Sequence, residues 1–366
     1  MTALPAIVDA TGASVTEGGF KTWLTNLRAM LAETIGATGG GQADPTSGSV
    51  FRRNALYNGA MEVWQRGTGT TTCTAGARTF LADRWCVVPS GANITQDSSI
   101  ELPTGSRALQ SLRLVGAASV TTVNLQQRLP ARDIPRIKRT VTFQCYVRNL
   151  TGAAYTPTLL LGTPGGLDDF TTVTNRLTQV LASCADNAWT QVSHTVDISA
   201  YTNINNGLQV EIQIPSGSSV ASDENYFTEL QLAPSSVVTP FDGLTFESER
   251  DRCMHFYQKS FPYGTAPAQN AGVSGALSWI NILGGAVGGG SQSMQFALPM
   301  RASPTVTTYN PSAANAQIRN VATTADWTGT TATATDNSLR MSGTQDAGAT
   351  AGSHQQAVHW TASAEL

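Results

Sequence analysis

The chain has 366 residues, of which 41% are apolar and 13% charged, and its formal net charge is −3. An ordinary globular chain carries about a quarter charged residues, so the surface here is polar but mostly uncharged. That excludes the basic footprint of a nucleic-acid binder and a polybasic membrane anchor, and the apolar content excludes a disordered chain.

The first residues, MTALPAIVDATG, have neither a basic start nor a continuous apolar stretch, which argues against a signal peptide. No apolar run approaches the roughly 20 residues needed to cross a bilayer. Residues 16–36, TEGGFKTWLTNLRAMLAETIG, have helical periodicity, with Phe20, Trp23, Leu24, Leu27 and Leu31 on one stripe and Gly36 as a stop. The spacing 20, 24, 27, 31 fits a short coiled-coil seam as well as a helix docked on another surface. A flexible run, ATGGGQADPTSGS, follows and closes an N-terminal helical segment at about residue 50.

From residue 51 to 245 the period changes to two. Phe143, Cys145 and Val147 alternate with polar residues, as do Leu208, Val210, Ile212 and Ile214, and turn-rich stretches separate such runs. Many short strands with this spacing predict an antiparallel jelly-roll β-sandwich. FESERDRCMHFYQKSF, 246–261, predicts one or two helical turns running into a strand, and a domain boundary is placed near 246. Residues 262–366 carry seven charged side chains: Arg301, Arg319, Asp326, Asp336, Arg340, Asp346 and Glu365. Alternation over Met294, Phe296, Leu298 and Met300, and again at Val358 and Trp360, predicts a smaller C-terminal β-sandwich. The fold class expected overall is mostly β.

Chemistry is sparse. The five cysteines, Cys73, Cys86, Cys145, Cys184 and Cys253, are scattered without a C-x-x-C pair, giving neither a zinc site nor a disulfide framework. His354 and His359 lie five apart and would not share a face, so no metal is assigned; Asp168 and Asp169 after TPGGL read as a solvated turn, with a calcium-holding loop as the alternative. LSWINILGGAVGGG, 277–290, lacks the spacing of a dinucleotide loop, and no nucleophile elbow is present. No catalytic residue, cofactor or enzyme activity is expected. The remaining candidates are aromatic rings for stacking on sugars: Trp327, set in a turn-like TADWTG and expected to be exposed, with Trp279 and Tyr309. Trp64 and Trp85 are expected in the core.

NALYNGAMEVWQRGTG, 54–69, followed by RTFLADRW, 78–85, resembles the opening of a module found in bacteriophage tail fibres and adhesins. The residues that carry the likeness are Asn54, Asn58, Gly59, Trp64, Gln65, Arg66 and Gly67, then Ala82, Asp83, Arg84 and Trp85. FTELQLAPSSVVTPFDG at 227–243, ERDRCMHFYQKSF at 249–261 and the ends LPMRASPTV and VHWTASAEL are similar to such fibres too. The resemblance implies a structural virion protein of a tail, made in the host cytoplasm, often a homotrimer, with a carbohydrate-binding-module-like sandwich and an N-terminal attachment helix bound to other tail proteins. Its implied task is adsorption to bacterial surface polysaccharide. A purely structural fibre or adaptor of tail or head is the alternative, and a glycan-cleaving tailspike a more distant one. Within the motif, Asn58-Gly59 would supply a turn, Trp64 would plug the sandwich, and Arg66 and Asp83 would form a charge-assisted bond.

Overall fold

The computed structural model describes residues 54–217, 222–283, 289–345 and 351–366. The expected N-terminal helix, with Phe20, Trp23, Leu24, Leu27 and Leu31, lies outside the described residues.

The chain is mostly β. Its first strands are β1 (Thr71–Cys73), β2 (Thr79–Phe80), β3 (Cys86–Ser90), β4 (Ile94–Ser99), β5 (Ser111–Val115) and β6 (Thr122–Pro130). Then come β7 (Thr140–Leu150), β8 (Thr158–Gly166), β9 (Asp169–Val180), β10 (Ala188–Asp197), β11 (Gly207–Ile214) and β12 (Glu224–Ala233). They form two antiparallel sheets, ordered β1-β4-β5-β12-β7-β10 and β2-β3-β6-β11-β8-β9. Alternation decides which side chains meet between them: Phe143, Cys145 and Val147 from one sheet, and Val210, Ile212 and Ile214 from the other, are fully buried in one core. Such a half-buried sheet keeps its opposite face for polar residues.

Helix α1 (Phe246–Met254) follows, capped by the Thr245 hydroxyl, which accepts from the Ser248 amide, and carrying Glu247 and Glu249 in its first turn. It runs into β13 (Tyr257–Lys259), the helix-then-strand order expected from this segment. The later strands are β14 (Leu277–Leu283), β15 (Gly289–Gln295), β16 (Thr305–Tyr309), β17 (Arg319–Asn320) and β18 (Ala325–Asp326). The last are β19 (Thr328–Ala334), β20 (Ser338–Thr344) and β21 (Gly352–Ser363). Long β21 is the axis of this half: its first part pairs with β14 and β17, its second with β13 and β16. A three-stranded sheet, β15-β20-β19, completes the layers, and a second core gathers Ile318, Trp327, Leu339, Met341, Val358 and Trp360. The alternation expected through Met300 stops at Gln295, because the Phe296 and Met300 amides bond to Asn337 and Asp336 carbonyls and bend the chain away.

The two cores belong to one compact unit. Phe256 and Leu366, both beyond residue 246, pack in the first core. Among the described residues no helix is long and apolar enough to cross a membrane.

Candidate functional site

The opening motif builds a buried joint. Asn58 has φ 51°, the left-handed region that asparagine tolerates. Its amide group donates to the Val63 and Asp83 carbonyls at 2.9 and 3.1 Å and accepts from the Glu62 and Val63 amides. A Cβ on Gly59 would stand 2.1 Å from the Leu230 carbonyl oxygen, so only glycine fits against β12 there. Asn54 fills the same irregular stretch of β12, donating to Leu230 O and accepting from Leu232 N. Trp64 and Trp85 are fully buried, their indole N–H groups bonded to Met61 and Asn58 carbonyls.

Four charges lock this joint. Arg66 bonds Asp83 at 3.1 Å and Glu365 at 3.1 Å, and its guanidinium lies 3.7 Å above the Tyr257 ring. Arg84 bonds the other oxygen of Glu365 and stacks 3.5 Å from the Phe256 ring. Burial dominates at Asp83 and, despite Arg66 and two bonds from Gln65, pushes its carboxyl up to about 6. Burial opposes charge at Glu365 as well, but Arg84 and Arg66 together outweigh it and hold that carboxyl below the usual range. The four groups bond one another, Gln65 and the Arg128 carbonyl, so the joint holds elements together.

The outer face of the β2–β9 sheet offers different chemistry. Pairing of β6 with β11 sets Asn124 opposite Gln213, Gln126 opposite Glu211, and Arg128 opposite Gln209, all on the face away from the core. Gln126 and Gln209 donate to Glu211 Oε2 at 2.7 and 3.0 Å, Arg128 donates to Gln209 at 2.8 Å, and Gln213 donates to Asn124 at 3.1 Å. Leu160 of β8 and Cys86 of β3 flank this ladder in register. Although it lies on an outward face, Glu211 is only 7% exposed. Burial raises its pKa against the pull of the two amides and Arg128. Burial also lowers Arg128 to about 10, with Arg78 adding repulsion, and its guanidinium sits 5.0 Å from the Phe170 ring. The ladder is thus a recessed carboxylate held by amides, with Leu160 and the buried Cys86 beside it. Sequence alternation in β11 was legible; its alignment with the polar positions of β6 was not.

The aromatic candidates fall elsewhere. Trp327 is 1% exposed, which corrects its expected role as an exposed ring. Short strands on either side carry it inward, its N–H bonds Gln356 at 2.7 Å, and Gly290 and Gly343 leave the space it fills. Trp279 packs edge-on against it at 6.1 Å and is half-buried, whereas Tyr309 meets Phe261 at 5.3 Å, apart from that pair. Asp168 bonds Arg301 at 3.0 Å and accepts from the Ala131 amide, while Asp169 is exposed. His354 and His359 occupy opposite faces of β21; His359 is enclosed by Ser260, the Gly272 carbonyl and the stacked Phe261 ring. Burial lowers its pKa, favouring the neutral ring. The five cysteines are free and buried, and no group of three metal-ligating residues occurs among the described residues.

No protein-family model and no curated protein matches the sequence. Solved structures show distant similarity. The enzymatically active domain of bacteriophage CBA120 tailspike protein 4 aligns with 49% of this chain at 12% identity and TM-score 0.33, and the alignment covers 21% of that longer chain. The family 22 carbohydrate-binding module of Clostridium thermocellum Xyn10B aligns with 42% of this chain and 88% of its own, at 15% identity and TM-score 0.30. The CBM22-1 xylan-binding domain from Paenibacillus barcinonensis Xyn10C aligns with 47% and 99%, at 13% identity and TM-score 0.29.

Proposed function

We propose that this chain is a virion adhesin of a tailed bacteriophage, a tail fibre whose jelly-roll sandwich holds host surface glycan along the Asn124–Gln213, Gln126–Glu211 and Arg128–Gln209 ladder. The observation that carries the reading is the recessed carboxylate Glu211 flanked by amides on an outward sheet face. Neighbouring strands lie about 4.8 Å apart, close to the length of one sugar ring, so rungs of donors and acceptors can meet successive hydroxyls. Both amide donors fall on Oε2 of Glu211, and no described bond uses Oε1. The ladder has one carboxylate, whereas glycoside hydrolysis takes a facing pair; this favours binding over cleavage. The virion assignment rests on the motif at 54–85, whose residues build the joint around Asp83 and Glu365. Each site would be weak, and repetition of the chain around a fibre would supply avidity.

Titration of purified protein with host surface polysaccharide tests this. Glu211→Gln should weaken binding by about 10- to 100-fold, the scale of about 1.5–3 kcal/mol for a hydrogen bond to a charged group. Unchanged binding in that variant would remove the ladder from the site. Absence of any binding to host cells would favour the structural adaptor, and release of reducing sugar the tailspike.

A further inference from the structure

We infer that the basic segment 131–139, which follows β6, holds the acid groups of an anionic polysaccharide. The choice of a glycan rests on the ladder reading above, whereas the demand for acid groups rests on this segment. After Pro130 the chain turns into a 3-10 helix, Ala131–Arg136. Such a helix has about three residues per turn, so side chains at i and i+3 share an edge. One edge, Ile134 and Ile137, is buried in the first core. That leaves Arg132, Pro135 and Lys138 on a second edge, and Asp133, Arg136 and Arg139 on the third. Arg132, Arg136, Lys138 and Arg139 are all exposed, and no described ion pair holds any of them. Elsewhere arginine is matched: Arg66, Arg84, Arg113, Arg148, Arg252 and Arg301 each meet a carboxylate. Two carboxylates touch the segment, and both are engaged. Asp133 accepts from the Tyr57 hydroxyl, and Asp168 accepts from the Ala131 amide and pairs with Arg301. Asp197, whose neighbour Ile198 bonds the Arg139 carbonyl, accepts from the Ser199 amide. The whole-chain charge of −3 conceals this local excess of cations.

The chemistry narrows the occupant. Three of the four cations are arginines, whose planar forks match carboxylate and phosphate oxygens. The segment contains no aromatic side chain on which a nucleic-acid base could stack. Its two isoleucines face the core, so it has no large apolar side chain to place in a bilayer. A sugar finds more. Lys138 donates to Asn205 Oδ1 at 3.1 Å, and no described bond uses the amide hydrogens of Asn205, which is exposed. Arg128, the last rung of the ladder, stands near the end of β6, and Arg132 follows directly after that strand. A polymer lying along β6 therefore meets Asn124, then Gln126 with Glu211, then cations. Glu211 repels an acid group at the middle rung, and the segment attracts one at the end. A polysaccharide with acid groups on only some of its sugars fits that order.

Polygalacturonate and the same polymer after reduction of its carboxyl groups differ in charge, and titrating the full chain with each tests the inference. The native chain should bind the acidic form more tightly. Arg132→Gln/Arg136→Gln/Arg139→Gln should cut that preference by about 3- to 100-fold, the sum expected of three exposed ion pairs. Arg340→Gln, at an exposed cation on β20, should leave it unchanged. All four sites are solvent-facing, and an unchanged melting curve verifies that each variant is folded. Going from about 0.01 M to about 0.15 M salt shortens the screening length from about 30 to about 8 Å and should shrink the preference in the native chain too. Equal binding of the two polymers, no binding of the acidic form, or a preference that survives the triple substitution overturns the inference. So does tighter binding, at equal charge concentration, to duplex DNA or to phosphatidylglycerol vesicles. Glu211→Gln keeps the two readings apart: it should weaken both polymers and leave the acidic form ahead. A Glu211→Gln chain that binds both as the native chain does removes the ladder, while its intact preference for the acidic form supports the segment.

Discussion

The first sandwich and the half built on β21 use charge in opposite ways. In the first, Arg66, Asp83, Arg84 and Glu365 are drawn beneath the surface, where each fixes a neighbour. In the second, one described ion pair, Arg319–Asp326, lies wholly within residues 262–366, and the core is closed by Trp327 seated against two glycines. Charge is concentrated at the buried joint and is sparse in the half built on β21. The halves are also interdependent, because Glu365, just beyond β21, completes the charge cluster of the first.

Breaking the joint should cost most. Trp64→Ala deletes a fully buried indole and should remove about 3–5 kcal/mol from unfolding free energy, seen as a large fall in the urea midpoint and in soluble yield. A midpoint near that of the native protein would deprive Trp64 of its place in the core. Glu365→Ala leaves the buried Arg84 guanidinium without its carboxylate. Losing one partner of a buried pair costs about 3–5 kcal/mol. The same urea titration reads it, and a loss under 1 kcal/mol would show that water reaches Arg84 and that the two halves are not locked by charge.

Proton linkage separates the two carboxylates of the joint. With a folded pKa of about 6 against an ordinary 3.8, Asp83 holds a proton in the folded chain that the unfolded chain releases between those values. That contribution to stability is fully present at the acid end and is lost as pH rises through 6. Glu365 has the opposite sign: its contribution is present above its unfolded value and is lost as pH falls through its lowered folded pKa. Asp83→Asn should therefore gain on the native chain between about pH 4 and 6, by no more than about 3 kcal/mol, and run parallel to it above. A difference that stays constant across that interval would mean that Asp83 is ionised throughout.

What was legible in the sequence was local. Alternation located the cores of β7 and β11, the charged segment at 246–261 announced a helix and strand, and the spacing of Asn58, Gly59, Arg66 and Asp83 lay within one short motif. What was missed depends on distant pairing. Glu365 is 299 residues from Arg66 in the chain and nothing near it signals the contact. The ladder needs β6 and β11, whose polar positions were each visible but whose register was set by the sheet. Trp327 looked exposed because Asp326, Thr328 and Gly329 read as a turn. The space that draws the ring inward is made by glycines on β15 and β20.

That space gives the mildest test of the comparison. A Cβ on Gly290 would stand 2.4 Å from Cη2 of Trp327, and one on Gly343 3.2 Å from Cε3. The ring has little room to retreat, since its N–H is held by Gln356 and its edge meets Trp279. Gly290→Ala should cost about 1–3 kcal/mol by overpacking, with Gly343→Ala costing less because its contact is nearer to ordinary. Trimming the ring in Gly290→Ala/Trp327→Phe should recover part of the loss, a coupling that two independent substitutions would not show. Equal stability of Gly290→Ala and the native chain would mean that the ring moves freely, and the second half would then owe its order to strand pairing along β21 more than to the indole seated against its glycines.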